Sequence, residues 1–136
     1  VSSDGKPLTW DSPYGAGKGH PRAAGSHARL LKMVREQQVI TLMEAVAKLS
    51  FYQAQFLEDM VPDMRLRGRL QPGAIADITI FDFDKVQDNS DWKEGMNSLP
   101  STGIPYVIVN GTTIVKDSKV LKGVYPGKPI RNRILD

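Results

Sequence analysis

The sequence contains no cysteine among its 136 residues. This absence excludes disulfide bonds, thiolate metal sites and cysteine nucleophiles. No apolar run approaches the roughly 20 residues that a membrane-spanning helix needs, and the first residues show no signal-peptide pattern. We therefore expect no membrane partner and a cytoplasmic location.

Blocks of like charge are also missing. The 18 basic and 15 acidic residues are spread along the chain and give a net charge of +3. This pattern argues against a nucleic-acid-binding arm and a polybasic membrane anchor, so we expect no nucleic-acid partner. With 40% hydrophobic and 24% charged residues, the composition is that of a globular protein.

The first 25 residues hold five glycines and three prolines and show almost no hydrophobic periodicity. They predict a loop. A loop of this length is uncommon in a compact domain unless it is functional or disordered. Because the chain opens on it, we expect a β-strand to precede it.

Helical spacing begins after this loop. Ser26 is the predicted N-cap of a first helix whose apolar residues extend to Val39. Thr41 and Glu44 have the spacing of a capping box and predict the start of a second helix.

Ser50 is predicted to cap a third, short helix, and Pro62 is predicted to end helical structure because it lacks a backbone donor. Beyond Arg65 the pattern is that of β-structure. Residues 76–82 alternate like a strand with one buried face, and residues 84–104 are polar and predict a loop.

The strongest local signal is a hairpin. Two β-rich runs, 106–109 and 112–115, flank Asn110-Gly111, and these two residues tolerate the positive φ of a type I′ turn. Residues 119–121 predict a further strand. Because a few strands are stable only when packed against other elements, we expect this sheet to be part of a larger one.

Asp4 is the first candidate for chemistry. It lies in Ser2-Ser3-Asp4-Gly5, where a preceding strand would end, and barrel enzymes carry catalytic groups at that end of their strands. A carboxylate there is suited to binding a metal or to moving a proton. The alternative is a turn aspartate that bonds its own backbone, which Asp-Gly favours.

His20 and His27 are the only histidines, and their separation does not match a pair of ligands on one metal. Zinc usually needs three or four protein ligands, so we expect no complete metal site within this chain. His20, in the glycine-rich loop, is the better candidate for lining a pocket. His27 is expected to be structural or surface-exposed.

Two other patterns are given structural interpretations. Residues 15–19 resemble a phosphate-binding loop only superficially, because Gly19 stands where a hydroxyl is required. Arg65, Arg67 and Arg69 alternate and predict a solvated basic edge, with anion binding as the alternative.

Five stretches occur together, in one order, over nearly the whole chain. They are Ser3-Asp4-Gly5; His20-Pro21-Arg22 with the helix that follows; Leu42-Met43-Glu44-Ala45-Val46; Gly68 through Pro72-Gly73 to Ala76-Asp77-Ile78; and Val107-Ile108-Val109-Asn110-Gly111. Together they resemble the C-terminal third of the D-aminoacylase branch of the amidohydrolase superfamily, the N-acyl-D-amino-acid deacylases.

This resemblance implies an α+β fragment of a larger enzyme. Residues 1–62 would form the end of the last strand of a (β/α)₈ barrel, an active-site loop and the post-barrel helices. Residues 63–136 would form the C-terminal strands of a small composite β-sandwich.

The resemblance also implies the chemistry. The parent enzyme would hydrolyse the amide bond of an N-acyl-D-amino acid, a small-molecule partner, with zinc as cofactor. Asp4 would activate zinc-bound water and protonate the leaving nitrogen, with a possible role as a metal ligand. Ser3, Gly5, His20 and Arg22 would contact the substrate. Because the other ligands would lie upstream, we expect no zinc on this chain alone and no activity from it.

Two alternatives stay open at this point. One is a freestanding, non-catalytic β-sandwich module for assembly or binding. The other is a cyclic amidohydrolase of the dihydroorotase or hydantoinase type, which shares the sandwich motifs but should lack the His20-Pro21-Arg22 helix. For an isolated fragment, helix faces that would cover a barrel are expected to be exposed, and such apolar surface favours a homo-oligomer.

Overall fold

The computed structural model describes residues 1–5 and 19–132. Most of the predicted opening loop, including residues 15–18 of the phosphate-loop pattern, lies outside these ranges. The elements, in chain order, are α1 (Arg22–Gln37), α2 (Leu42–Val46), a π-helical turn (Ala47–Phe51), α3 (Tyr52–Leu57), a 3₁₀ turn (Pro62–Leu66), β1 (Ile78–Ile80), β2 (Tyr106–Val109), β3 (Thr112–Lys116) and β4 (Lys119–Val120).

Helix α1 begins four residues before the predicted cap. Ser26 lies inside the helix, where its hydroxyl donates to Arg22 O at 2.8 Å, so its assignment as N-cap is wrong. The imidazole of His20 takes part of that role, because its Nδ1 accepts from the Arg22 N–H at 3.0 Å. The helix ends where Gln38 adopts a φ of 51°, and Val39 therefore lies outside it.

The second helical run extends without a break from residue 42 to residue 57. Thr41 Oγ1 accepts from the Glu44 N–H at 3.2 Å, which confirms the predicted N-cap. Ser50 was assigned to a new cap, but it lies within the π-helical turn and donates to Val46 O at 2.9 Å. That prediction is wrong because a serine in mid-helix can bond back to the preceding turn.

Pro62 opens a helical turn instead of ending one. The preceding helix ends at Leu57, and Pro62 is the first residue of the 3₁₀ turn. A proline is tolerated at that position because the first N–H groups of a helix have no intrahelical partner.

The chain divides into two compact units. The described residues of 1–45 and 81–104 form the first, and those of 46–80 and 105–136 form the second. In the first unit the buried apolar side chains are Ala28, Leu31, Val34, Ala45 and Val86. The predicted division at residue 62 concerns the barrel and sandwich of a parent enzyme, and it stays a prediction.

The second unit contains a four-stranded antiparallel sheet in the order β1-β2-β3-β4. The predicted hairpin is confirmed, since Asn110 and Gly111 have φ values of 46° and 76°. Asp117 and Ser118, at 50° and 62°, make a similar turn before β4. Strand β1 covers only residues 78–80 of the predicted 76–82.

The three alternating arginines do not form a solvated basic edge. Arg67 pairs with Asp77 and Arg69 pairs with Glu58 at 2.8 Å, and the two arginine side chains are only 14% and 20% exposed. The prediction is wrong for these two because their carboxylate partners are ten and eleven residues away. Only Arg65 is largely exposed.

No helix in the described residues is long and apolar enough to cross a bilayer. Several large apolar side chains are nevertheless exposed in both units. The most exposed are Met43, Phe56, Leu70, Trp92 and Tyr125, at 70 to 89%.

These side chains lead us to predict self-association of the 136-residue chain, because exposed apolar area drives contact between copies. Light scattering coupled to gel filtration should give a mass of twice 15.0 kDa or more. Replacing Phe56 and Met43 with serine should shift the mass towards that of the monomer. A monomer at every concentration tested would contradict this prediction.

Gly103 should be far less tolerant of alanine than Gly95. Both have a φ of 77°, but a Cβ at Gly103 would lie 2.6 Å from the backbone of Val86, whereas one at Gly95 would meet nothing within 4 Å. We expect Gly95→Ala to cost about 1 kcal/mol of unfolding free energy from the left-handed backbone. Gly103→Ala should cost about 3 kcal/mol, because overpacking is added. Urea unfolding measures both, and equal losses would contradict the close approach of Gly103 to Val86.

Candidate functional site

Asp4 is held at the N-terminal end of α1 by Arg22. The Arg22 guanidinium pairs with the Asp4 carboxylate at 2.8 Å, and its Nε donates to Asp4 O at 3.1 Å. Asp4 has a φ of 42°, a left-handed conformation that aspartate tolerates better than most residues. The two side chains are 82% and 44% exposed, so the pair orients the carboxylate more than it stabilises the fold.

His20 lies at the same end of the helix. Because its Nδ1 accepts from the Arg22 N–H, the neutral ring carries its proton on Nε2. The ring also packs edge-on against the indole of Trp92, with centroids 4.4 Å apart and planes at 64°. His27 is exposed on α1, as the sequence led us to expect.

The remaining predicted residues flank Asp4 in the chain. Gly5 lies against the first turn of α1, where a Cβ would come within 2.6 Å of Ala23 Cα. Ser3 is half-buried beside it. The structure therefore brings Asp4, Gly5, His20 and Arg22 to one end of one helix.

Residues 81–104, which we name the clamp segment, attach to this end of α1 through side chains. Ser90 Oγ lies 3.0 Å from Pro21 O, Asn97 Nδ2 donates to Gly19 O at 3.0 Å, and Ser101 Oγ donates to Ala24 O at 3.2 Å. Much of this segment was predicted as a polar loop. Its polar side chains are therefore used to fix it on the helix.

The clamp segment is also bonded towards the other end of α1. Arg35 Nη1 donates to Phe83 O and to Val86 O, each at 2.8 Å, and Val86 is fully buried. Between the two ends, the absence of a side chain at Gly25 leaves room for Asp88, whose carboxylate oxygen would be 2.0 Å from a Cβ there.

Among the described residues, Asp82 and Tyr106 have shifted pKa values. In the clamp segment, a hydrogen bond from Lys85 lowers the pKa of Asp82. In the other unit, the Tyr106 hydroxyl donates to Asp117 at 2.7 Å, and this bond raises the pKa of Tyr106. The Asp82 bond lies within one turn, whereas the Tyr106 bond joins β2 to the turn between β3 and β4.

Trp92 and Asn97 are among the members of this arrangement that the sequence did not reveal. A tryptophan within a polar, glycine-containing stretch was the available signal for Trp92. The bond from Asn97 joins residues 78 positions apart, and no single sequence reports such a pairing.

The described residues do not by themselves fit a zinc site. Residues 1–5 and 19–132 contain no group of three or more His, Cys, Asp or Glu side chains arranged to hold a metal ion. Asp4 offers at most one ligand, whereas zinc usually takes three or four from the protein.

No protein-family model matches the sequence. The N-acyl-D-glutamate deacylase of Alcaligenes xylosoxydans xylosoxydans is 42% identical over 96 residues, which are 70% of this chain and 18% of that enzyme. The crystal structure of D-aminoacylase, described as defining a novel subset of amidohydrolases, superposes on 85% of the chain with a TM-score of 0.73 and 29% identity. The chain belongs to the D-aminoacylase group of amidohydrolases.

Other solved members of this group are similar to the chain. The N-acyl-D-glutamate deacylase of Bordetella bronchiseptica, complexed with zinc and a phosphonate mimic of the tetrahedral intermediate, matches 71% of the chain with 40% identity and a TM-score of 0.64. A D-aminoacylase with a binuclear metal centre gives a TM-score of 0.74 at 29% identity.

The chain spans about a fifth of the length of these proteins, between 18% and 23%. The identity to the deacylases and the superposition on D-aminoacylase confirm the resemblance to the deacylase branch. The predicted combination of helices with a small antiparallel sheet is also confirmed. The barrel end and the composite sandwich stay predictions.

Arg35 should contribute substantially to holding the clamp segment. Arg35→Met removes two charge-assisted bonds and leaves two carbonyl groups unpaired, so we expect a loss of about 3 kcal/mol of unfolding free energy. Arg29→Met, at an exposed position on the same helix, should change it by less than about 0.5 kcal/mol. Denaturant unfolding of both variants measures these free energies. Similar losses for the two variants would contradict a stabilising role for the bonds from Arg35 to the clamp segment.

Proposed function

We propose that this chain is the segment of a zinc-dependent amidohydrolase that supplies its proton-transferring carboxylate. The parent enzyme would hydrolyse the amide C–N bond of N-acyl-D-amino acids. The observation that carries this proposal is the convergence of Asp4, Arg22 and His20 at one helix end, in a chain 42% identical to an N-acyl-D-glutamate deacylase.

Asp4 is the proposed catalytic residue. As a general base, its carboxylate takes a proton from the water that attacks the carbonyl carbon. As a general acid, it then gives that proton to the nitrogen as the C–N bond breaks, so the amine and the carboxylic acid leave as separate products. Arg22 fixes the carboxylate for both steps through its contacts with the side chain and the backbone of Asp4.

The substrate's carboxylate is the proposed partner of Arg22 and His20. A guanidinium carries five N–H donors in a planar fork that matches carboxylates, and the positive end of the α1 dipole also favours an anion here. Ser3 and Gly5 are proposed to line the same site. The similarity to N-acyl-D-glutamate deacylase makes N-acetyl-D-glutamate the first substrate to test.

Zinc is proposed to be held mainly by residues of the parent enzyme outside this chain, with Asp4 as one possible ligand. When bound, zinc would polarise the amide carbonyl. In this proposal residues 1–62 belong to the barrel end and residues 63–136 to the sandwich. The 136-residue chain alone should therefore hydrolyse no N-acetyl-D-amino acid, with or without added zinc.

A chimera tests the role of Asp4. The chain replaces the homologous segment of the Alcaligenes deacylase, and hydrolysis of N-acetyl-D-glutamate is measured in the presence of zinc. Asp4→Asn should lower kcat by about 100-fold or more, because a positioned general acid or base contributes that much. Asp84→Asn, at an exposed aspartate of the same unit, should retain nearly full activity.

Two results would contradict the proposal. One is an active chimera whose kcat is unchanged by Asp4→Asn. The other is zinc-dependent hydrolysis by the isolated chain, which would show that it holds a complete site.

A further inference from the structure

Trp92 is an exposed aromatic residue to which the proposed chemistry assigns no part. Its side chain is 70% exposed, so burial of the ring contributes little to folding. The ring contact that it makes among the described residues is with His20, at a centroid distance of 4.4 Å. Edge-on aromatic pairs of this kind are attractive and have a preferred orientation.

The backbone places Trp92 independently of its own side chain. The Trp92 N–H donates to Asp91 Oδ1 at 2.7 Å, and the Asp91 N–H donates to Met96 O at 3.2 Å. Ser90, two residues earlier, lies against Pro21 O, next to His20. The indole is thus held beside the imidazole by the clamp segment.

His20 is constrained on two sides. The Arg22 N–H occupies Nδ1, and the indole of Trp92 lies against the ring. The Nε2–H is left to donate, and within residues 1–5 and 19–132 no group accepts from it. An N–H donor at the same helix end as the Arg22 guanidinium is suited to one oxygen of a carboxylate.

We propose that Trp92 is a positioning residue that acts through His20. Its indole holds the imidazole ring in the orientation in which Nδ1 accepts from the Arg22 N–H. The Nε2–H donor is then directed to the carboxylate of an N-acyl amino acid beside Arg22. The identity of this carboxylate rests on the proposed function. The coupling between Trp92 and His20 does not.

The coupling is tested by nitrogen NMR on the ¹⁵N-labelled 136-residue chain at mildly alkaline pH. The chain has only two histidines, so His27 serves as an internal reference. We expect one tautomer for His20, with the proton on Nε2, and an averaged signal for His27. Trp92→Ala should make the two ring nitrogens of His20 give averaged signals, whereas Trp92→Phe should preserve the single tautomer. Met43→Ala, at another exposed apolar residue, should have no effect.

A purely structural role predicts a different result. His20 would then keep its tautomer in a folded Trp92→Ala chain, and the proposal would fail. Loss of folding in Trp92→Ala, seen by circular dichroism, would also contradict it, because an indole this exposed should not be needed for the fold.

The deacylase chimera provides a separate readout. Trp92→Ala should raise KM for N-acetyl-D-glutamate by about tenfold, which corresponds to the loss of one hydrogen bond to a charged group. Its kcat should stay within twofold of that of the unsubstituted chimera. Trp92→Phe should have a KM close to that of the unsubstituted chimera. An unchanged KM would overturn the role in binding. An inactive chimera would contradict the proposed function, while the tautomer measurement would still decide the coupling.

Discussion

The attachment of the clamp segment to helix α1 is the interaction on which the candidate site depends. Near one end of the helix, Arg35 binds two carbonyl groups of the clamp. At the other end, serine and asparagine side chains bind backbone carbonyl groups of residues 19–24. Because α1 is fixed at both ends, the residues just before and at its first turn have defined neighbours. Asp4, Arg22 and His20 derive their geometry from this arrangement.

The contacts of the first unit differ in how much they contribute to its stability. The Arg35 side chain is only 20% exposed, so its hydrogen bonds to the clamp segment contribute to stability. The Asp4–Arg22 pair is largely exposed and contributes mainly orientation. The His20–Trp92 contact is of the second kind. A site built from weak, exposed contacts needs a rigid support, and the clamp segment supplies it.

The sequence predicted features whose cause is local. The Asn110-Gly111 turn and the Thr41 cap are confirmed because a few adjacent residues determine them. It failed at Ser26, where an imidazole contributes to the cap instead. It also failed at Arg67 and Arg69, whose carboxylate partners lie ten and eleven residues away. The candidate site divides similarly. The family motifs indicated Asp4, His20 and Arg22, whereas Trp92 and the clamp contacts depend on tertiary packing.

As the proposed catalytic residue, Asp4 should touch the reacting atoms in the parent enzyme. A crystal structure of the deacylase chimera, complexed with a phosphonate mimic of the tetrahedral intermediate, tests it most directly. We predict an Asp4 carboxylate oxygen within hydrogen-bond reach of the phosphonate, at about 2.6–3.2 Å. An Asp4 carboxylate turned away from the inhibitor, with neither a direct bond nor a single bridging water, would contradict the account.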